Sequence, residues 1–408
     1  MPYELNEEVI IGKRVSVPFG KKKIMAGLIY AISEKPPQDY EARYIFDIVD
    51  NEPIVFESQI KFWEWIAHYY MTSLGLVYNA AMPAGLKMEG ESKMILQPEF
   101  DIIKVTLDEK ETIIIDAIRA SKELGINQAS SLLRLNNIHK YVKSLYLKGA
   151  IVLKEDISEV YKPKKVKYVS INPIAQTDQK LNQLFDELEK RAKKQLEVLM
   201  KFISSYSITG EAEKSEFINQ GISAAALNAL ITKEIFIQEN REKSRLEFYT
   251  EQKSLEGLQE EQAEALNQIK NSFKENKPTL LYGVTSSGKT HVYAHLIKEQ
   301  LENNKQVLYL LPEIALTSQL IKRLQKYFGE YLVVSHSKFS NNERVEVYQA
   351  IAKGEPLLVV GTRSSIFQPF RNLGLIIVDE EHETSFKQQE PAPRFNARDT
   401  ALYLSAKT

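Results

Sequence analysis

The chain has no cysteine among its 408 residues, which excludes disulfides and any thiolate metal site and fits a reducing compartment. It has almost no net charge either. Its 53 basic and 54 acidic side chains leave a formal charge of −1, so attraction to nucleic acid or to an acidic membrane has to come from local patches. No apolar run approaches the ~18 residues of a membrane span, and no secretory signal is recognisable. The expectation is a soluble, cytoplasmic protein with no membrane partner. With 43% hydrophobic residues, a chain of this length can build roughly two to four domains, each with its own core.

What is there begins with Gly283-Val284-Thr285-Ser286-Ser287-Gly288-Lys289-Thr290, a complete phosphate-binding loop. Gly283 and Gly288 let backbone N–H groups curl around an oxyanion, with Thr285, Ser286 and Ser287 between them, while Lys289 brings a fixed positive charge and Thr290 a hydroxyl for Mg²⁺. The apolar run before the loop reads as a strand, and 290–301 reads as a helix whose amino terminus favours negative charge. About ninety residues later the apolar run 375–378 ends in Asp379-Glu380-Glu381-His382. Asp379 is placed to hold Mg²⁺ through water, and Glu380 to orient or deprotonate the attacking water. Together the two motifs predict a site for ATP and Mg²⁺.

The rest of the chain changes character along its length. Short β-like runs at 14–17, 25–32 and 43–49 suggest a small β-rich domain, followed by a helix over 57–70. Basic residues collect at Lys13-Arg14 and Gly20-Lys21-Lys22-Lys23, either as a solvated hairpin tip or as a phosphate contact. Helices over 109–121, 128–135 and 137–148, then a strand at 151–153, outline a winged helix. A fainter copy follows, with helices over 191–204, 213–219 and 224–232 and a strand at 235–238. From residue 257 onward, strand candidates 279–284, 306–311, 331–334, 356–361 and 375–378 alternate with helical stretches, the outline of a parallel α/β sheet with ligands at its carboxyl ends.

Three further segments suit a nucleic-acid motor. The stretch 311–319, with Thr317, and the stretch 361–369, with Thr362 and Arg363, place hydroxyls, backbone N–H groups and an arginine at strand ends, where successive phosphates of one strand can be gripped. Gln262, shortly before the first strand of this half, can read both a donor and an acceptor on adenine. In this order the motifs resemble those of superfamily 2 helicases. The run Asp379 to Glu390, continuing through Pro393-Arg394-Phe395-Asn396-Ala397-Arg398-Asp399, resembles the DEEH box and aromatic-rich loop of the PriA-type primosomal replication-restart helicases. The turn at 17–21, the Tyr69-Tyr70 pair and the 361–369 segment resemble the same family.

That resemblance implies a 3′→5′ DNA helicase that recognises stalled or abandoned forks and reloads the replisome. Its partners would be forked and single-stranded DNA, primosome and replisome-loading proteins and single-stranded DNA-binding protein. It implies a multidomain α/β architecture: a β-rich 3′-end-binding domain over 1–98, a winged helix over 99–168, a second winged-helix-like or helical insert over 169–250, and a first RecA-like P-loop lobe over 251–408. Lys289, Thr290, Asp379, Glu380 and Gln262 match the family's phosphate, metal, water and adenine residues. Phe386, Lys387, Arg394 and Phe395 fall in the loop that senses single-stranded DNA, where rings can stack on bases and cations meet phosphates; the alternative is that the two phenylalanines are core. Gly20 and Arg43 match positions lining the pocket for a nascent 3′ end. Departures are equally plain. An aromatic of that pocket, preceding Pro2, has no counterpart; the family's zinc cysteines, expected only in a second lobe beyond Thr408, are absent, as is any arginine finger. Rival readings are a non-catalytic branched-DNA-binding module and a P-loop ATPase of another class.

Overall fold

In the computed structural model the described residues are 7–19, 23–33, 35, 38, 44–45, 47–87, 89–97, 105–135, 138–158, 161–175, 178–206, 208–246, 253–284 and 287–407. They form two compact units, Met1–Tyr161 with Phe248–Thr408, and Lys162–Glu247. Among the described residues no helix is long and apolar enough to cross a membrane.

The first unit opens on strand β1 (Arg14–Phe19), paired antiparallel with β2 (Lys23–Leu28) from Arg14↔Leu28 to Phe19↔Lys23, and on its other side with the short β3 (Asp47–Ile48). The basic pair expected at an exposed tip lies inside instead: Lys13 is 5% and Arg14 3% exposed. Arg14 meets Asp50 at 2.6 Å and donates to the Leu86 carbonyl at 2.8 Å, because a buried guanidinium requires a carboxylate and further acceptors. Lys21 and Lys22 lie outside the described residues.

Helix α1 (Glu57–Tyr69) buries Ile60, Phe62, Trp63 and Ile66 at helical spacing. Helix α2 (Leu74–Ala81) is capped by the Ser73 hydroxyl. Strand β4 (Glu89–Leu96), helix α3 (Glu109–Ser121), β5 (Leu124–Gly125), helices α4 (Ile126–Leu133) and α5 (His139–Leu147) and β6 (Ile151–Ser158) then close the expected winged helix on a β5-β4-β6 sheet. Met94, Ile114, Ile115, Ile118 and Leu145 fill its core.

The second unit repeats the plan. Strand β7 (Lys165–Ile171), helices α6 (Asp178–Arg191) and α7 (Lys193–Tyr206), β8 (Glu211–Glu213), helices α8 (Lys214–Asn219) and α9 (Ala224–Thr232) and β9 (Phe236–Glu242) form a three-stranded sheet, β8-β7-β9, covered by helices. Phe202 meets Phe217 and Phe236 edge to face in its core, with centroids 5.4 and 4.9 Å away.

Returning to the first unit, helices α10 (Glu260–Lys274) and α11 (Lys289–Glu302) precede β10 (Gln306–Leu310). Helix α12 (Ser318–Phe328), β11 (Leu332–Ser335), α13 (Asn341–Ala352), β12 (Leu358–Gly361), β13 (Leu373–Val378) and α14 (Ala397–Ser405) follow. The four strands run parallel in the order β11-β12-β10-β13, and β10 is buried at every position, as a strand covered on both faces must be. This is a RecA-like α/β layer. The strand expected at 279–284 does not form. No described strand pairs with it, and Leu280, Tyr282 and Val284 are 73%, 92% and 74% exposed, while Leu281 packs on the core.

Candidate functional site

The phosphate loop ends where α11 begins. Gly288, at φ +85°, caps that helix, and a Cβ there would stand 2.2 Å from the Gln262 side-chain nitrogen; only glycine fits both the backbone and the approach. Gln262 thus sits against the loop, while its oxygen accepts the Gln259 N–H at 3.1 Å to close a capping box on α10. The Lys289 ammonium folds across the loop and donates to the carbonyls of Gly283 (2.6 Å) and Val284 (3.3 Å). Thr285 and Ser286 lie outside the described residues.

Facing the loop, β13 delivers Asp379, whose N–H donates to the Leu310 carbonyl at 3.0 Å. One carboxylate oxygen accepts from the Tyr309 hydroxyl at 2.8 Å and the other from the Glu380 N–H at 3.1 Å. Tyr309 is fully buried. Burial first, then the Asp379 charge, pushes its phenol far above the ordinary range, so it remains a donor. Tyr293, its ring edge-on to Tyr309 at 5.9 Å, is raised for the same reasons. Glu380 holds a left-handed backbone, φ +50°, which costs a non-glycine residue about 1–2 kcal/mol. Gly288, Lys289 and Thr290 and the acid pair line one cleft of about 460 Å³, with Arg323 and Tyr327 of α12 along its wall.

The expected DNA residues have mixed fates. Gly20 and Arg43 lie outside the described residues. Thr317 is exposed and its hydroxyl caps α12; Thr362 is buried. Arg363 is turned to the loop after the acid pair, donating to the carbonyls of Ser385 (3.2 Å) and Lys387 (3.4 Å). Phe386 and Phe395 are 1% and 0% exposed, so neither ring is presented to a base and the alternative, core, is what the packing gives. The reason is a bridge between Lys387 and Asn396, with Gln388 N–H on the Phe395 carbonyl at 2.9 Å, which folds the segment back and turns both rings inward. Arg394 remains exposed, bonded to the Gln389 carbonyl and to Glu390. Lys387 is half-buried, its ammonium 2.5 Å from the Arg394 carbonyl and 5.1 Å from the centre of the Tyr70 ring.

Sequence reasoning missed Tyr309. The signal was there: a polar-tipped ring in the otherwise apolar 307–310 run has to find a buried partner.

Comparison with known proteins adds four family matches. They are the 3′DNA-binding domain of PriA over residues 1–83, a winged helix domain over 91–156, the winged helix domain of Bacteroidota PriA helicases over 166–243, and the DEAD/DEAH box helicase over 259–406. The replication restart protein PriA of Bacillus subtilis is 29% identical over 413 residues, covering 98% of this chain and 49% of the relative. That of Synechocystis is 29% identical over 406 residues, covering 96% and 46%. That of Helicobacter pylori strain J99 is 47% identical over 154 residues, 38% of this chain and 24% of the relative. The chain spans about half the length of the first two.

Proposed function

We infer that this chain, which belongs to the PriA-type superfamily 2 helicases, carries the fork-binding domains and first ATPase lobe of an ATP-dependent 3′→5′ DNA helicase that starts replication again at stalled or abandoned forks. Our division into a 3′-end-binding domain, two winged-helix units and one RecA-like lobe follows the same reading. The observation that carries it is the single cleft in which the amino terminus of α11, with Lys289 and Thr290, faces Asp379 and Glu380.

In this reading Lys289 exchanges its two loop carbonyls for phosphate oxygens, and the helix terminus adds its own partial positive charge. Glu380 takes or orients the proton of the attacking water, held in place by its strained backbone and by the Asp379 carboxylate on its N–H. Gln262 reads adenine through the amide that already touches Gly288. Thr290 and Asp379 offer the hard oxygen donors that Mg²⁺ takes alongside phosphates and water; bound there, the ion would neutralise developing phosphate charge. The cation that faces it in transition-state stabilisation belongs, in such motors, to a second lobe. The substrates would be forked and single-stranded DNA in the cytoplasm, with primosome-loading proteins and single-stranded DNA-binding protein as partners.

Fork-end recognition is tested by measuring the affinity of the chain for a fork whose leading strand ends at the junction in a free 3′-hydroxyl and for one ending in a 3′-phosphate. The hydroxyl fork should bind about fivefold tighter, the worth of one hydrogen bond. Equal affinities would remove the 3′-end reading.

A further inference from the structure

Tyr70, just past the end of α1, is the point at which the amino-terminal domain touches both ends of the loop that follows the acid pair. Its hydroxyl accepts the backbone N–H of Asn396 at 3.0 Å, and its ring lies under the Lys387 ammonium at 5.1 Å. Lys387 and Asn396 are bridged to each other, so one ring fixes the base of the whole hairpin. Asn396 is also the cap of α14, its side chain accepting from the Arg398 N–H, and Arg398 in turn binds Glu381 at 2.9 Å, one residue beyond Glu380. A chain of direct contacts therefore runs from Tyr70 to the acidic motif.

The other end of that chain is anchored in the amino-terminal domain. Around Tyr70, α1 stacks on α14 through Trp65 and Tyr403, whose rings are parallel at 3.9 Å. Just before α1, the Ile54 carbonyl accepts from the Tyr348 hydroxyl at 2.9 Å, and Phe56 lies under Arg371 at 4.3 Å. Residues 54–70 are thus packed on the lobe from both ends, and a shift of the amino-terminal strands cannot leave the loop untouched unless these contacts break, since packed interfaces move in discrete steps.

We propose that Tyr70 is a positioning residue through which a DNA end bound by the amino-terminal domain sets the loop behind Glu380, and so the rate of ATP hydrolysis. This rests on the functional reading above for both of its ends. The hydroxyl carries the contact to Asn396 and the ring the contact to Lys387, so Tyr70→Phe removes one link and keeps the other.

Amide hydrogen exchange on the chain, with and without a fork bearing a free 3′ end, reads the coupling directly. In the unaltered chain the fork should slow exchange in β1 and β2 and also change exchange over 387–396. In Tyr70→Phe the first effect should persist and the second should shrink about fivefold, the size of a hydrogen bond that no longer transmits. In a version extended through a second lobe, the same variant should lower the ratio of fork-stimulated to DNA-free hydrolysis to a similar degree, with the DNA-free rate and the KM for ATP unchanged. A loop that responds equally in the variant, or that stays silent in the unaltered chain while β1 and β2 respond, overturns the proposal, as does an equal fall in both hydrolysis rates. If β1 and β2 show no response to the fork, the fork-binding reading itself fails and takes this proposal with it.

Discussion

Asp379 is held by two donors, the Tyr309 hydroxyl and the Glu380 N–H, and the first can be removed by a side-chain change that leaves the backbone intact. Tyr309→Phe leaves a carboxylate oxygen without its buried donor, and hydrogen bonds to charged groups are worth about 1.5–3 kcal/mol. In a chain extended through a second lobe we expect kcat for ATP to fall roughly tenfold or more with KM nearly constant; a raised KM at constant kcat would mean that Tyr309 serves binding and not the acid pair. Lys289→Ala in the same protein should abolish hydrolysis while fork affinity stays within about twofold, because DNA recognition is assigned mainly to residues before 257; loss of both in a folded protein would make the lobe the principal DNA site. Phe386 belongs to a different class. Buried as it is, Phe386→Ala should lower stability by about 3–5 kcal/mol and reduce basal and stimulated rates together, which the unfolding transition measured beside both rates would reveal.

At the scale of elements, one charged contact of the first winged helix ties its stability to pH. Glu111 on α3 closes a capping box with Asp108 and meets Lys148 at 2.6 Å. Burial alone would push its carboxyl up, but the Lys148 and Ser144 side chains and the Asp108 N–H outweigh it and hold the carboxyl below its usual range. A depressed folded value means stability that is present above the unfolded pKa and lost as pH falls through the folded one. Glu111→Gln should therefore lower the melting temperature at pH 7, and the difference should close as the solution is made more acidic; a difference independent of pH would contradict this. The two winged helices also differ where such modules meet DNA. Helix α5 carries exposed Lys140 and Lys143, whereas α9 has no charged residue. Replacing both lysines by alanine should reduce the salt slope of DNA affinity by about two, and an unchanged slope would remove α5 from the interface.

Helices α3 and α9 were legible to the residue because caps and apolar spacing agree there: Asp108 and Glu111 open one, and Ser223 caps the other. The parallel strands Gln306–Leu310 and Leu373–Val378 were legible as the apolar runs 306–311 and 375–378. The segment 279–284 has the same apolar character yet no ladder, since strand formation depends on a neighbour that local pattern cannot report. The choice between stacking and core for the two phenylalanines was not legible, because the residues between them are polar; the Lys387↔Asn396 bridge, which local pattern does not report, is what turns them in.

In the molecule as a whole, the cleft and the amino-terminal segment that matches the 3′DNA-binding domain belong to one compact unit, while Lys162–Glu247 folds as a unit of its own. The cleft is formed here by one lobe, so hydrolysis by this chain alone should be slow, by roughly 10³–10⁵ relative to a site completed by an arginine from a second lobe. The most direct test is the steady-state ATPase rate with and without forked DNA, for this chain and for a version extended through a second lobe. The account predicts negligible, DNA-independent turnover by the chain and strong fork-stimulated turnover by the extended protein; robust stimulated turnover by the chain alone, or none by the extended protein, would contradict it.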